Sequence, residues 1–296
     1  MPHVVRTSTD EEWREPEPPF AGAGLRVLPL VGARDSSVHL EIRLCELPAD
    51  ATLPAHFHAF EESFYVLAGS ATVCVGESAY EVGPGDYGFA PVATTHAWRG
   101  DGSGPVRWLE VRAPQPLATA HSTGTVLADG HGFPAMAGPP SETDPRHRHV
   151  GRFRDDDMAP YGPLSMPGYH GPNIRNISVR MLVDRLLGAQ HHTLFMVEFA
   201  QGATKGRAAS EHYHPFEEIY FLLAGEAIGT LDGERVCVRA GDIVWTGVNS
   251  THGFVNEGTE PVRWLEVQSP TPPTSNAFFF PDDWSAARLG TPPTPG

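Results

Sequence analysis

"HFHAFEESFYVLAG" runs from His56 to Gly69, and "HYHPFEEIYFLLAG" runs from His212 to Gly225. The same offset of 156 pairs Gly85-Asp86 with Gly241-Asp242, His96 with His252, and Pro114 with Pro270. It also lays "PVRWLEV" at 105–111 letter for letter on 261–267. From His56 to Pro114 the two copies need no net insertion or deletion. A recurrence of this length, in a chain that is not low-complexity, marks a duplicated structural unit. Upstream the register slips: Ala51-Thr52 matches Ala203-Thr204 at an offset of 152. The second copy therefore has four extra residues around Lys205 to Ser210.

Each copy reads as a series of short strands. Phe64–Leu67, Ala71–Val75, Val106–Val111 and their counterparts are rich in Val, Tyr, Phe and Leu and are bounded by Gly, Pro and Asp. Leu231-Asp-Gly-Glu234 predicts a two-residue hairpin turn, because Asp-Gly tolerates the positive φ such a turn demands. Helical periodicity is confined to 180–187 and the stretch near Trp284–Leu289. Regularly spaced short strands predict an all-β fold of two tandem jelly-roll barrels. The expected layout is an N-terminal arm (1–24), an N-terminal barrel (25–118), a connector (119–175), a C-terminal barrel (176–275) and a tail (276–296). The connector is rich in Pro, Gly and charge, and its latter part is expected to lie over the second barrel.

Composition narrows the function. The chain has 296 residues, 40% hydrophobic and 19% charged, with a net charge of −15. That charge argues against nucleic acid and anionic membranes as partners. The first twenty residues carry acids and prolines where a signal peptide needs an apolar core. No apolar run approaches the ~20 residues that cross a bilayer. Cys45, Cys74 and Cys237 show no metal-type spacing, and their odd number gives no disulfide framework. A cytoplasmic protein acting on a small molecule, as monomer or homodimer, is expected.

Chemistry concentrates in His-x-His, three residues, Glu, and a distant His. These are His56, His58, Glu62 and His96 in the first copy, and His212, His214, Glu218 and His252 in the second. Side chains two apart on a strand share a face, and even parity returns the glutamate to it. The last histidine reaches the others only if the sheet curls into a barrel. Three imidazoles and one carboxylate suit a divalent first-row metal and leave coordination positions open, as a catalytic rather than structural site does. Ordinary surface or core histidines would not recur with two glutamates at matching places in both copies. His147-Arg-His149, His170 and His191-His192 lack that context and read as incidental.

The two-part pattern G-x5-H-x-H-x3-E-x6-G and G-x5-P-x-G-x2-H-x3-N resembles the cupin signature, and two copies resemble a bicupin. Gly85, Pro91 and His96 match the second part in the first copy, with Ala93 and Gly100 in place of glycine and asparagine. Gly241, His252 and Asn256 match in the second, with Gly247 and Asn249 in place of proline and glycine. The leading glycine of the first part is absent from both copies. The resemblance spans roughly 25–115 and 180–270. It implies two antiparallel double-stranded β-helix barrels, each cupping a metal: Fe2+, Mn2+, Ni2+ or Zn2+.

Parity from the ligands places Phe64, Thr94 and Trp98 in the first pocket, and Tyr220, Ser250 and Phe254 in the second, although the aromatic Phe64, Trp98 and Phe254 read more readily as core packing. Tyr220 is the candidate catalytic residue, because a buried hydroxyl needs a partner. Glu61 and Glu217 point away from the metal and read as surface charges. In "PVRWLEV", Val106, Trp108 and Glu110 share one face, available for strand packing or as a partner to a ligand. The function expected is a metal-dependent oxidoreductase, a non-haem dioxygenase acting on a small enolic or aromatic metabolite; quercetin-type dioxygenases among bicupins look similar. The alternatives are a redox-neutral isomerase, lyase, cyclase or hydrolase, and a non-enzymatic ligand-binding bicupin.

Overall fold

A computed structural model describes residues 3–8, 12–117, 123–128, 133–134, 138–140, 149–171, 173–201, 209–273 and 277–281. The chain divides into two compact units. One comprises Thr9–Asp156 and Leu182–Thr193; the other comprises Met1–Ser8, Asp157–Met181 and Leu194–Gly296.

The first unit is a two-sheet jelly roll. One sheet has the order Val150–Arg152, Asp86–Ala90, Glu61–Ala68, Val106–Ala113, Glu41–Leu47, Arg26–Val31. The other has the order Thr125–Leu127, Thr52–His58, His96–Gly100, Ala71–Val75, Ser78–Val82. Inward faces of both sheets fill the space between them, with Trp98 stacked on Trp108 at 4.3 Å and Phe64 edge-on to Trp98 at 4.8 Å. The second unit repeats the plan: His3–Thr7, Asp242–Thr246, Glu217–Ala224, Val262–Ser269, Thr193–Phe199, Ile177–Val183 in one sheet. Ala209–His212, His252–Val255, Glu226–Leu231 and Glu234–Arg239 form the other. Its core centres on Trp264, with Phe199 edge-on at 4.7 Å.

The recurring letters have local causes. Gly69 and Gly225 end the signature at φ 72° and 75°. A Cβ on Gly69 would lie 2.1 Å from the Pro105 carbonyl oxygen, and one on Gly225 2.5 Å from that of Pro261. The glycine and the first residue of "PVRWLEV" are thus one contact, made twice. Asp232 and Gly233 take φ 48° and 88° between the paired strands 226–231 and 234–239, forming the expected hairpin.

The helical periodicity of 180–187 does not produce a helix. Ile177–Val183 is a strand, and the next residues are a tight turn. The Asp184 carboxylate accepts the Leu186 amide at 2.7 Å, and Gly188 at φ 99° redirects the chain. The stretch is too short to repay helix nucleation. Trp284–Leu289 and most of the inserted loop (205–208) lie outside the described residues. Within 119–175, Thr125–Leu127 pairs with His56–His58 and Val150–Arg152 pairs with Asp86–Gly88, so both add edge strands to the first barrel. The remainder of this stretch, from Asp157 to Arg175, falls in the second unit. Near the other end, Ala277, Phe278 and Phe280 are buried in that unit's core. No helix among the described residues is long and apolar enough to cross a membrane.

Candidate metal centres

Each site is assembled from three strands. In the first unit His56 and His58 end strand 52–58, Glu62 lies at the start of strand 61–68, and His96 opens strand 96–100. His56 lies opposite His96 in the ladder, just as His212 lies opposite His252. Ring centroids in the first set are 4.1–4.9 Å apart, and in the second 4.5–5.8 Å. All eight side chains are buried.

The backbone sets the tautomers. Nδ1 of His56 donates to Pro54 O (2.7 Å), His96 to Thr94 O (3.0 Å), His212 to Ser210 O (2.7 Å), His252 to Ser250 O (2.9 Å) and His214 to Phe216 O (2.8 Å). A carbonyl oxygen only accepts, so these Nδ1 atoms carry the proton and Nε2 presents its lone pair. The sixth, His58 Nδ1, bonds Thr125 Oγ1 at 2.9 Å. Candidate ligand atoms of His212, His214, Glu218 and His252 lie within 4.8 Å of one another, as do those of His56, His58 and His96. Glu62 approaches His58 Nε2 at 2.9 Å and His96 Nε2 at 3.4 Å.

Electrostatics fit a cation. Burial, reinforced by the neighbouring imidazoles, holds His56 and His212 well below the ordinary histidine pKa. Burial takes His58 to about 4 and lowers His214. In His96 burial is outweighed by the Glu62 carboxylate, and the pKa rises. Glu62 and Glu218, although buried, are held well below the carboxylate range by the histidines beside them. His58 Nε2, His96 Nε2 and Glu62 Oε2 are buried with no hydrogen-bond partner. Imidazole nitrogens and a carboxylate converging in this way are what a divalent metal needs, and the residues fit one.

The cups differ around these ligands. In the C-terminal barrel a cavity reaches His212, Glu218, Tyr220 and Glu266, with walls that include Ile177, Phe195, Phe199 and Phe254. The Tyr220 hydroxyl donates to Glu218 Oε2. Trp264 Nε1 donates to Glu266 at 3.0 Å, and Gln268 Nε2 bridges to Glu218 at 2.5 Å and Glu266 at 3.3 Å. Burial first, then Glu218, raises both the Tyr220 and Glu266 pKa values well above their ordinary ranges. In the N-terminal barrel the matching carboxylate, Glu110, accepts from Arg43 (2.6 Å), Arg112 (2.7 Å), Trp108 (3.2 Å) and Cys45 (3.2 Å). Its pKa is lowered against burial, chiefly by Arg43.

Of the pocket residues expected from parity, Tyr220 and Phe254 line the C-terminal cavity. Phe64 and Trp98 lie in the first barrel's apolar core. Thr94 serves through its carbonyl, on His96. Ser250 turns its hydroxyl to Asp232 at 2.8 Å and does not line the cavity. Glu61 and Glu217 are not surface charges: both are buried, at 2% and 1% exposure. Glu61 points away from the ligands, into amides of Gln190 (2.7 Å) and His191 (2.9 Å), and lies 3.2 Å from His192 Nδ1. His192 Nε2 meets Ser63 Oγ at 2.6 Å, so this histidine is structural and fully buried. His149 lies along strand 86–90, its carbonyl oxygen accepting from the Phe89 amide at 2.7 Å, and exposed His170 bonds Ser165. His147 lies outside the described residues.

Sequence reasoning missed several ligand neighbours. Phe60 stacks on His58 at 4.3 Å and Phe216 on His214 at 3.8 Å; their recurrence at the 156 offset was the available signal. Phe20 packs on His56 at 4.5 Å and Phe278 on His212 at 5.2 Å, each from outside the repeat, where no signal existed.

The Cupin domain family matches residues 43–112 and 195–268. Among curated proteins, the tetracenomycin polyketide synthase protein TcmJ of Streptomyces glaucescens is 29% identical over 94 residues, 31% of this chain and 60% of that protein. Polyketide synthase CurC of Streptomyces cyaneus is 36% identical over 69 residues, 23% of this chain and 45% of that protein. An oxalate-binding protein of Thermotoga maritima is 33% identical over 63 residues, 21% of this chain and 52% of that protein. The matches thus span about half the length of these relatives. Among solved structures, Lactobacillus farciminis oxalate decarboxylase superposes with a TM-score of 0.61 at 17% identity, over 96% of this chain and 90% of that one. A Bacillus subtilis oxalate decarboxylase gives 0.59 at 17%, over 97% and 83%. At this identity the likeness is one of fold: two tandem jelly-roll barrels.

Proposed function

We propose that this chain, which belongs to the cupin superfamily as a two-domain bicupin, is a metal-dependent enzyme whose working site is the C-terminal cup. The observation that carries this reading is the cavity that reaches His212, Glu218 and Tyr220. His56, His58, Glu62 and His96 would hold one divalent metal, and His212, His214, Glu218 and His252 another. A metal so held supplies Lewis acidity toward a substrate oxygen.

The chain's own residues supply the rest. Apolar walls exclude water and orient an apolar body, while the Tyr220 phenol and the Glu266 carboxyl stand at the polar end of the cavity. The apolar lining suits an enolic or aromatic metabolite in character; the closed cavity holds about one water molecule, so the walls must part to admit it. The polyketide synthase relatives support that class, since polyketide chains carry enolisable ketones.

Two chemistries fit: a dioxygenase, and a redox-neutral cyclase, isomerase, lyase or hydrolase. The phenol and carboxyl at the reacting end favour the redox-neutral form, because moving protons to and from substrate is what such groups do. Metal content of untagged protein, followed by turnover of enolic candidates with and without oxygen, tests the reading. Turnover that proceeds anaerobically supports the redox-neutral form; stoichiometric O2 consumption establishes the dioxygenase. Activity surviving His214→Ala but lost in His58→Ala would place the working site in the other barrel.

A further inference from the structure

The duplication provides an internal control on specificity. Position for position, Arg43 corresponds to Phe195 and Arg112 to Gln268, before and after the four-residue insertion respectively. The N-terminal cup thus carries two buried guanidinium groups close to its ligand set, with Arg112 Nε 3.9 Å from Glu62 Oε2. The C-terminal cup has a phenyl ring and an amide in their places. Among the described residues lining its cavity there is no lysine or arginine.

The donors that do line this cavity are already engaged. The Tyr220 hydroxyl is on Glu218, Trp264 Nε1 is on Glu266, and His212 Nδ1 is on Ser210 O. The other polar groups facing inward are the Glu218 carboxylate and the Glu266 carboxyl, neither of them a cation. A dicarboxylate could satisfy one end at a metal, but its second carboxylate would be buried among apolar walls with no cationic side chain to meet it. Removing a charged acceptor from water without a partner is strongly unfavourable. An uncharged molecule with one oxygenated end meets no such obstacle.

We infer that the C-terminal cup selects uncharged ligands with an apolar body and a hydroxyl or carbonyl head, and rejects small dicarboxylates, with Phe195 and Gln268 as the specificity-determining residues. This rests on the metal-dependent reading of that cup and adds the charge class of its ligand. It also separates this site from oxalate chemistry, despite the shared fold.

The test uses the full chain carrying His58→Ala, loaded with Co2+ so that only the C-terminal set is filled. Maltol, a neutral hydroxyketone, and oxalate are titrated separately, followed by calorimetry and the visible bands of the cobalt. Metal retention is checked after each titration. Maltol is expected to bind at least tenfold more tightly than oxalate. Phe195→Arg with Gln268→Arg should shift that ratio toward oxalate by at least tenfold, and Gln268→Arg alone should shift it in the same direction if the double variant does not fold. Oxalate binding as tightly as maltol to cobalt-loaded protein overturns the inference while leaving the metal reading intact. Failure of the C-terminal set to hold cobalt overturns both.

Discussion

Replacing His192 with alanine tests the buried cluster behind the first metal strand. His192 is fully buried, bonded through Nε2 to Ser63 and 3.2 Å from Glu61 through Nδ1. Glu61 and Ser63 flank the candidate ligand Glu62 on the opposite face of strand 61–68, so the cluster fixes that strand from outside. His192→Ala removes a hydrogen bond to Ser63, worth about 1 kcal/mol, and the 3.2 Å approach of its ring to the Glu61 carboxylate. It also leaves a void where the ring stood, so the total is about 3–5 kcal/mol. At roughly 2–4 °C per kcal/mol for a unit of this size, the melting temperature should fall by about 10 °C. Ser63→Ala, which spares the Glu61 contacts, should cost only about 1 kcal/mol.

Acid titration adds a second readout. The Glu61 pKa is lowered, against burial, by His192 and the amides of residues 190 and 191. A depressed carboxylate contributes stability that is complete above its unfolded pKa of about 4.3 and is lost as pH falls through the folded value. Wild type should therefore lose stability faster than Glu61→Gln as pH falls below about 4.3. Urea unfolding at several pH values measures both effects. A His192→Ala loss below about 1 kcal/mol, no larger than that of Ser63→Ala, would refute the assignment.

Four further outcomes are expected. Gly69→Ala should destabilise by more than about 3 kcal/mol by thermal unfolding, since its Cβ would sit 2.1 Å from a carbonyl oxygen at positive φ. Trp264→Phe leaves a Glu266 oxygen without its donor and should cost about 1–3 kcal/mol in the same assay. Chelation should lower the melting temperature reversibly, with about 2.7 kcal/mol lost per site previously held at a hundredfold excess over Kd; His58→Ala and His214→Ala should each remove one metal equivalent by elemental analysis. Alkylation at pH 8 followed by mass spectrometry should modify exposed Cys237 first, while Cys45 and Cys74, buried and with Cys74 pushed up to about 11, react only on unfolding.

The candidate ligand sets were legible because duplication aligned them, and parity along a strand places alternate residues on one face. Parity does not say whether the other face is covered. Glu61 therefore read as a surface charge until residues 190–192 were seen against it. Thr125, Phe20 and Phe278 approach the ligands from segments outside the repeat, where tertiary folding alone brings them close. The contrast of Arg43 and Arg112 with Phe195 and Gln268 was written in the aligned copies, but its meaning depends on Glu110 and Glu266 sharing one place in each barrel. The turn at 184–188 shows how a side-chain cap and a left-handed glycine override a short helical pattern.

The pairing of His3–Thr7 with Asp242–Thr246 has a kinetic consequence. Thr7 and Asp242 are joined by a hydrogen bond of 2.7 Å across a sequence separation of 235. Every other strand of that sheet lies beyond residue 176, so the sheet can condense from nearby partners before this edge closes. Closing so long a loop is entropically late, and the contact order of this one ladder far exceeds that of its neighbours. The edge should be the last part of the barrel to zip during refolding and the first to open in the native state. Amide hydrogens of residues 3–7 should then exchange ahead of those in 217–224, well before the ligand strands themselves become exposed.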